Sequence, residues 1–385
     1  MGAQQPAQPE ETRTEQAPSP KGDDTGPAAP TAPPRTVGGA GAPKRRILSI
    51  WSGVDGFRYA AMHPRTDGRW QAAYASEYKQ WIVEIWESEG GGRCIGTYAE
   101  MCRGLRDGTL HLGVLDLVVM TPPCTDYASV NDERQGVEGE AGKFFAEIPE
   151  LIRLLRQRHV VKAWVIEEVL EAADEPALVH PEHGIIATLQ RTNHQVAVGE
   201  VHMHTVGVPS TRRRLGVVAC HAPHMRQGGP IRIPGAKEHG EPERPAPVLQ
   251  PFLQRSDEVS ASLRESPGSL VKLPPGAAQV FWPAHQVGSL RGNGPGRSVF
   301  DPKRGTAGTL RANVKRAKGP GGVTTLILDD IGPRRLSPTE ALRMHGFPEH
   351  LATRLSDAQV YKIVGNAVPV QWAIEVLNML HARLR

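Results

Sequence analysis

The sequence has little cysteine: four residues in 385, Cys94, Cys102, Cys124 and Cys220, with no C-x-x-C pair. That excludes a disulfide framework and fits a reducing, cytoplasmic setting. No apolar run approaches the roughly 18 residues of a membrane span. The N-terminus lacks the apolar core of a signal peptide. A strong charge of one sign is also missing. The net charge is +4, which permits a polyanionic partner without requiring one. There is no G-x-G-x-x-G, which disfavours a dinucleotide, and no internal repeat.

Glycine and proline are abundant, with 41 and 34 residues, an excess that points to long irregular regions. Residues 1–44 hold nine of the prolines and no aromatic residue. Such a segment buries too little apolar surface to offset its ordering entropy, so it is expected as a disordered tail. From Ile47 short apolar segments recur, at 47–50, 72–75, 115–120, 163–166, 196–201 and 215–219. Helix-like stretches lie between several of them, at 79–88 and 144–157. In the second, Phe145, Ile148, Ile152 and Leu155 fall on one face. Alternating strand and helix predicts an α/β fold with a mostly parallel sheet and helices on both faces.

From 221 to about 322 the pattern dissolves into Pro, Gly, Arg and His, with few strand-like pieces such as 278–282. This reads as a loop-rich insertion with little core of its own. Regular structure resumes near Thr324. Ser337, Pro338 and Glu340 form a capping box that opens a helix, and a last helix covers 370–383.

The most telling stretch is 115–129, LDLVVMTPPCTDYAS. A buried strand must end near Pro122, because proline cannot donate to a sheet ladder. Cys124 then sits on a stiff turn past a strand tip, where open α/β sheets hold their ligands. On this stretch alone it is either a nucleophile or a small buried hydrophobe.

Other constellations follow in order. The segment 47–57, ILSIWSGVDGF, is a strand running into a glycine turn that lets a ligand approach the backbone. Glu77 closes the second strand, either binding ribose hydroxyls or charging a helix N-terminus. Glu167 and Glu168 follow another strand, where neighbouring side chains point to opposite faces. One is expected to face a site as a general acid, the other solvent or a cap. Residues 207–214, GVPSTRRR, place Arg212 and Arg214 on one face if extended, just before the last expected strand. Such forks suit carboxylates and nucleobase oxygens; a solvated basic turn is the alternative. A C-terminal pair of segments, 335–348 and 361–369, completes the series.

In order and combination these segments resemble the DNA cytosine-5 methyltransferase family from Ile47 to about Leu380. The resemblance is strongest at Pro122, Pro123 and Cys124, at 207–214, at 335–348 and at 365–368. It implies a Rossmann-like S-adenosylmethionine-dependent fold in four stretches. These are a tail (1–44), a catalytic and cofactor-binding domain (45–220), a target-recognition lobe (221–322) and a segment returning to the catalytic domain (323–385). It implies methyl transfer from S-adenosylmethionine to carbon 5 of a cytosine flipped out of DNA. Cys124 would add to carbon 6 while Glu167 activates ring nitrogen 3. Arg214 would hold the ring oxygen and Arg212 support the same pocket. The cofactor would meet Trp51, Gly53, Val54, Gly56, Phe57, Glu77, Tyr78, Thr97, Pro123, Asn366 and Val368. Double-stranded DNA is the implied partner, with a cognate restriction endonuclease as a further one, and the chain is expected as a monomer with no membrane association. The basic cluster 291–318 suits phosphate contacts or a solvated linker.

Several positions depart from the family pattern. Asp55 stands in the usual glycine pair, and Ser49 replaces an aspartate of the first strand. Thr97 stands where an aspartate meets the adenine amino group. Glu168 replaces an asparagine; Thr125 and Ser210 replace glutamines. Ordinary divergence, weaker cofactor affinity and a modified donor all account for this, and divergence is favoured. Rival functions are an RNA cytosine-5 methyltransferase, against which the long Arg-rich insertion leans, and a non-catalytic DNA-binding relative. Retention of Cys124, Glu167 and both arginines argues against the latter. A zinc set of Cys220, His221 and His224 with His202 or His204 fits no standard spacing, so no metal is expected.

Overall fold

The computed structural model describes residues 43–127, 135–237, 246–263, 298–300, 307, 309–310, 325–330 and 333–385. The expected tail, apart from Pro43 and Lys44, lies outside these residues, as do 278–282 and most of 291–318. The described residues form one unit within Pro43–Arg385.

Among the described residues ten strands and ten α-helices follow in order. β1 (Arg45–Ile50), α1 (Gly56–Met62), β2 (Trp70–Ser76), α2 (Gln80–Ser88), β3 (Arg93–Cys94), α3 (Tyr98–Asp107) and β4 (Leu117–Met120) come first. Then come α4 (Lys143–Arg158), β5 (Ala163–Glu168), α5 (Pro176–Val179), α6 (Ile185–Arg191), β6 (His194–His202) and β7 (Arg213–His221). β8 (Ser298–Phe300), β9 (Thr325–Leu328), β10 (Pro333–Arg335), α7 (Pro338–Met344), α8 (Leu351–Arg354), α9 (Asp357–Asn366) and α10 (Val370–Arg383) close the chain.

The first seven strands make one sheet in the order β3-β2-β1-β4-β5-β7-β6. β1 to β5 pair in parallel; β7 runs antiparallel to both β5 and β6. All six apolar segments read from the sequence are strands of this sheet, and β3, two residues long, is the one that pattern missed. β7 is not the last strand. A three-stranded sheet, β10-β9-β8, follows it.

Both faces of the main sheet are covered, which is why its parallel strands read as continuous apolar runs. Ile47, Leu117, Val119 and Val165 face one core, with Phe57 of α1, Ile82 of α2, Leu342 of α7 and Trp372 of α10. Leu48, Val118, Trp164 and Ile166 face the other, with Leu105 of α3, Ile152 of α4 and Leu189 of α6. The stretch Asp357–Arg383 is apolar enough over an 18-residue window to match a membrane span by composition. It is two helices separated at Pro369, 67% buried over that window, and Val364, Trp372 and Leu377 belong to the core.

The order of strands reverses between β1 and β4, the point at which open α/β sheets bind ligands at their carboxyl edge. The glycine turn follows β1 there, and Cys124 follows β4.

Candidate active site

β4 ends at Met120, and Thr121 ties the next turn down by donating from Oγ1 to the Trp51 carbonyl at 3.0 Å. Beyond Cys124 the chain is anchored again. Asp126 Oδ2 accepts from the backbone N–H of Ala141 (2.8 Å) and of Gly142 (3.0 Å), and Tyr127 donates to the Gly142 carbonyl at 2.9 Å. Cys124 is therefore held between a strand tip and the start of α4. Burial, then the charge of Glu168, push its thiol up to about 11, against the pull of Arg214 and Arg212.

Glu167 is the last-but-one residue of β5, on the face of the first core, and Arg214 Nε lies 2.9 Å from its Oε1. Arg212 Nη2 lies 3.7 Å from the same oxygen, yet no hydrogen bond closes on it. Arg212 is buried and donates to the carbonyls of Gly365 (2.9 Å) and Ala367 (3.3 Å), so it fastens the end of α9 to the site. Burial, then Arg214, lower its pKa to about 9. The structure thus brings Cys124, Glu167, Arg212 and Arg214 together from three separate stretches of chain.

Glu168 corrects an expectation. Its side chain points to the other face of β5, as strand alternation requires, but that face is covered too, so it meets no solvent. Glu168 is 2% exposed, and its Oε1 has no hydrogen-bond partner. Burial, then the adjacent Glu167, raise its pKa well above the ordinary carboxylate range.

A cavity of about 650 Å³ opens beside Cys124, within the size range of small-molecule sites. Its walls include Trp51, Gly53, Val54, Gly56, Glu77, Tyr78, Thr97, Pro123, Asn366 and Val368 from the expected cofactor set. Phe57 is not among them. α1 turns its ring into the core, fully buried and edge-on to Trp372 at 6.0 Å.

Glu77 does more than expected. Its Oε2 accepts from Gly53 N–H at 3.0 Å, and its Oε1 from Tyr78 and Lys79 N–H at 2.9 Å. It holds the glycine turn and the start of α2 at once, leaving lone pairs toward the cavity. Thr97 also has a second task. Its hydroxyl accepts from Glu100 N–H at 3.3 Å while Glu100 Oε2 accepts from Thr97 N–H at 2.8 Å, a capping box on α3. Tyr78 stays 68% exposed, with Lys79 Nζ 4.1 Å from its ring centroid.

Sequence reasoning missed Tyr98 and Phe144. Trp51 stacks on Tyr98 at 4.7 Å, and Phe144 meets the two rings at 5.8 and 5.6 Å. Aromatic residues are only 5% of the chain, yet Trp51, Tyr78, Trp81, Tyr98 and Phe144 all line this cavity, a gathering that no spacing along the chain discloses.

Whether the cavity suits a polar ligand is tested by its orphaned atoms. Trp51 Nε1, Ser52 Oγ and Ser76 Oγ are buried without hydrogen-bond partners, and all three residues line it. Gly56 makes the backbone approach possible, since a Cβ there would lie 2.1 Å from the Val368 carbonyl oxygen.

Residues 45–381 match the sequence profile of the C-5 cytosine-specific DNA methylases. The type II methyltransferase M1.ScrFI of Lactococcus lactis subsp. cremoris is 22% identical over 333 residues, 85% of this chain and 75% of that protein. M.NlaX of Neisseria lactamica is 20% identical over 350 residues, 88% and 97% of the two chains. Among solved structures, the S. pombe Dnmt2 methyltransferase superposes with a TM-score of 0.60 at 14% identity, covering 88% of this chain and 99% of its own. The Entamoeba histolytica methyltransferase EhMeth does so with the same score and identity. These structures share the fold. With the profile spanning most of the sequence, the chain belongs to the C-5 cytosine-specific DNA methylase family.

Proposed function

We propose that this protein methylates carbon 5 of a cytosine flipped out of double-stranded DNA, with Cys124 as nucleophile and Glu167 as the ring-activating acid. The convergence of Cys124, Glu167 and Arg214 beside the cavity carries this reading. As the Cys124 Sγ–C6 bond forms, the thiol proton passes to water and Glu167 donates a proton to ring nitrogen 3. Electron density moves to carbon 5. After methylation, the carbon 5 proton passes to water, the Sγ–C6 bond breaks to free the thiolate, and the proton on nitrogen 3 returns to Glu167. Arg214 orients Glu167 and would meet the ring oxygen; Arg212 holds the α9 end that walls the site. The base must leave the stack, because carbon 6 is out of reach within it.

The family and the fold imply S-adenosylmethionine, which when bound supplies an electrophilic methyl group. Trp51, Tyr98 and Phe144 offer an aromatic wall for its adenine, Glu77 lone pairs for its ribose, and Asn366 and Val368 flank its methionine end. The 221–322 region is the proposed reader of the DNA word, and a type II relative such as M1.ScrFI suggests a partner endonuclease.

Methylation-sensitive sequencing of nucleic acid from cells expressing the wild type and Cys124→Ser tests this. A short DNA word methylated only with the wild type is expected. Methylated RNA with unmodified DNA favours the RNA reading, and no methylation in either contradicts catalysis.

A further inference from the structure

Thr121 stands between the two turns that the reaction must bring together. β4 ends at Met120, and Thr121 extends its pairing with β1, its N–H donating to the Ile50 carbonyl at 3.3 Å. Its hydroxyl crosses to the next carbonyl along, that of Trp51, at 3.0 Å. Two consecutive carbonyls at the end of β1 thus hold one residue beyond β4. Thr121, Trp51 and Cys124 all line the cavity.

What Thr121 fixes is passed on to the thiol. Pro122 and Pro123 follow it; each locks its own φ and has no N–H to offer another partner. The residue before a proline is restricted too, so Thr121 is confined to extended backbone. A stiff link therefore joins the hydroxyl contact to Cys124. On the far side the chain is anchored by Asp126, which accepts from the N–H groups that open α4.

The carbonyl that receives the hydroxyl belongs to a strained turn. Trp51 has φ 55° and Asp55 has φ 63°, a region non-glycine residues seldom adopt. Such strain persists only where neighbours hold it. Glu77 holds this turn from β2, accepting from Gly53 N–H at 3.0 Å. The Trp51 ring meets Phe144, in the first turn of α4, at 5.8 Å. Trp51 therefore touches both anchors of the Cys124 turn, the upstream one through its carbonyl and the downstream one through its ring.

We propose that Thr121 is a positioning residue for Cys124, its hydroxyl holding the thiol at a set distance from the turn after β1; this rests on the methyltransferase reading above. Carbons 5 and 6 are neighbours in one ring, so thiol and methyl donor must approach the same small target together. A bond tying their two turns sets that separation. Thr121 neither gives nor takes a proton in the reaction, since its hydroxyl hydrogen is committed to the Trp51 carbonyl. Misplacement of this kind costs rate rather than affinity.

The test compares the full-length wild type with Thr121→Val, which keeps the shape and loses the donor, and Thr121→Ser, which keeps the donor. On a duplex carrying the word methylated by wild type, two rates are measured. One is methyl transfer. The other, without cofactor, is release of tritium from carbon 5 of the target cytosine. Addition of Cys124 to carbon 6 lets carbon 5 take a proton from water, and expulsion of the thiol then releases the triton, so this rate reports Cys124 alone. Thr121→Val should lose about 5- to 10-fold in kcat and in tritium release, the factor one neutral hydrogen bond supplies. Its KM for DNA and Kd for S-adenosylhomocysteine should stay within about 2-fold of wild type, which also shows that it folds. Thr121→Ser should recover both rates to within about 2-fold. Unchanged tritium release in Thr121→Val overturns the proposal, as does a serine variant no faster than valine. Rates that fall only in step with weaker ligand binding make Thr121 a support of the turn alone, and overturn it too. A wild type that shows neither methylation nor tritium release defeats the methyltransferase reading itself, whereas an active wild type beside an indifferent Thr121→Val defeats the Thr121 assignment alone.

Discussion

At Cys124 and Glu168 the site holds a thiol and a carboxyl that each oppose the other's ionisation. Glu168 is buried and Cys124 half-buried, and the charge of Glu168 is the largest single electrostatic influence keeping Cys124 protonated. Glu168→Gln preserves shape and removes that charge. Alkylation of Cys124 should then begin at lower pH than in wild type, read by mass spectrometry; an unchanged alkylation profile counts against the coupling. The same substitution has a stability signature. A carboxyl whose folded pKa lies above its unfolded value favours the native state below the unfolded pKa, and that contribution is lost as pH rises through the folded one. Glu168→Gln should therefore stabilise the protein more at pH 8 than at about pH 5, judged by urea midpoints. Cys124, Glu167 and the arginines stood out in the sequence because each lies near a strand end with distinctive neighbours, and the structure gathers them in one place. The burial of Glu168 was not, since alternation along a strand says which face a side chain takes but not whether that face is covered. Nor was the strain at Asp55, which depends on a dihedral that composition does not reveal.

Elements carry the site through their ends. α7 is a case where sequence and structure agree in detail: Ser337 Oγ accepts from Glu340 N–H at 3.2 Å while Glu340 Oε2 accepts from Ser337 N–H at 2.7 Å. What the sequence did not disclose is that Glu340 also pairs with the fully buried Arg334 of β10, at 2.8 Å from both of its oxygens, while Asp329 holds Arg334 Nε at 2.6 Å. One carboxylate thus caps a helix and joins the small sheet to it. Glu340→Ala leaves much of a buried guanidinium without its partner, so a loss of about 3 kcal/mol is expected, near the low end for a broken buried pair because Asp329 remains. Urea unfolding checks this; a loss of under about 1 kcal/mol would place the pair among weak surface bridges. Long-range partners such as these lie beyond any pattern read along the chain. β3 escaped for a different reason, since two residues at a sheet edge leave no periodicity.

Across the whole molecule the two ends of the family match meet at one point. The turn after β1 and the residues between α9 and α10 are more than 300 positions apart, yet a Cβ on Gly56 would press on the Val368 carbonyl oxygen at 2.1 Å. That backbone contact closes the cavity floor, and Arg212 secures the same segment from the other side. Gly56→Ala should lower the thermal midpoint by several degrees, as for a loss of about 1–3 kcal/mol from overpacking. It should also weaken S-adenosylmethionine binding; a variant that matches wild type in both would remove the contact from the account. The family resemblance spans the C-terminal segments and led to the expectation that the final helix returns to the catalytic domain; in the structure Trp372 of α10 packs edge-on against Phe57 of α1. Most of the 221–322 region lies outside the described residues.

The account turns on Cys124 attacking carbon 6 of a cytosine in DNA. Duplexes carrying 5-fluorocytosine at the target block the final proton loss and hold the adduct. Incubated with S-adenosylmethionine and analysed by denaturing electrophoresis and peptide mass spectrometry, wild type should yield a covalent complex mapped to Cys124, and Cys124→Ala none. An equal yield from the alanine variant, or an adduct mapped to another residue, would contradict the assignment.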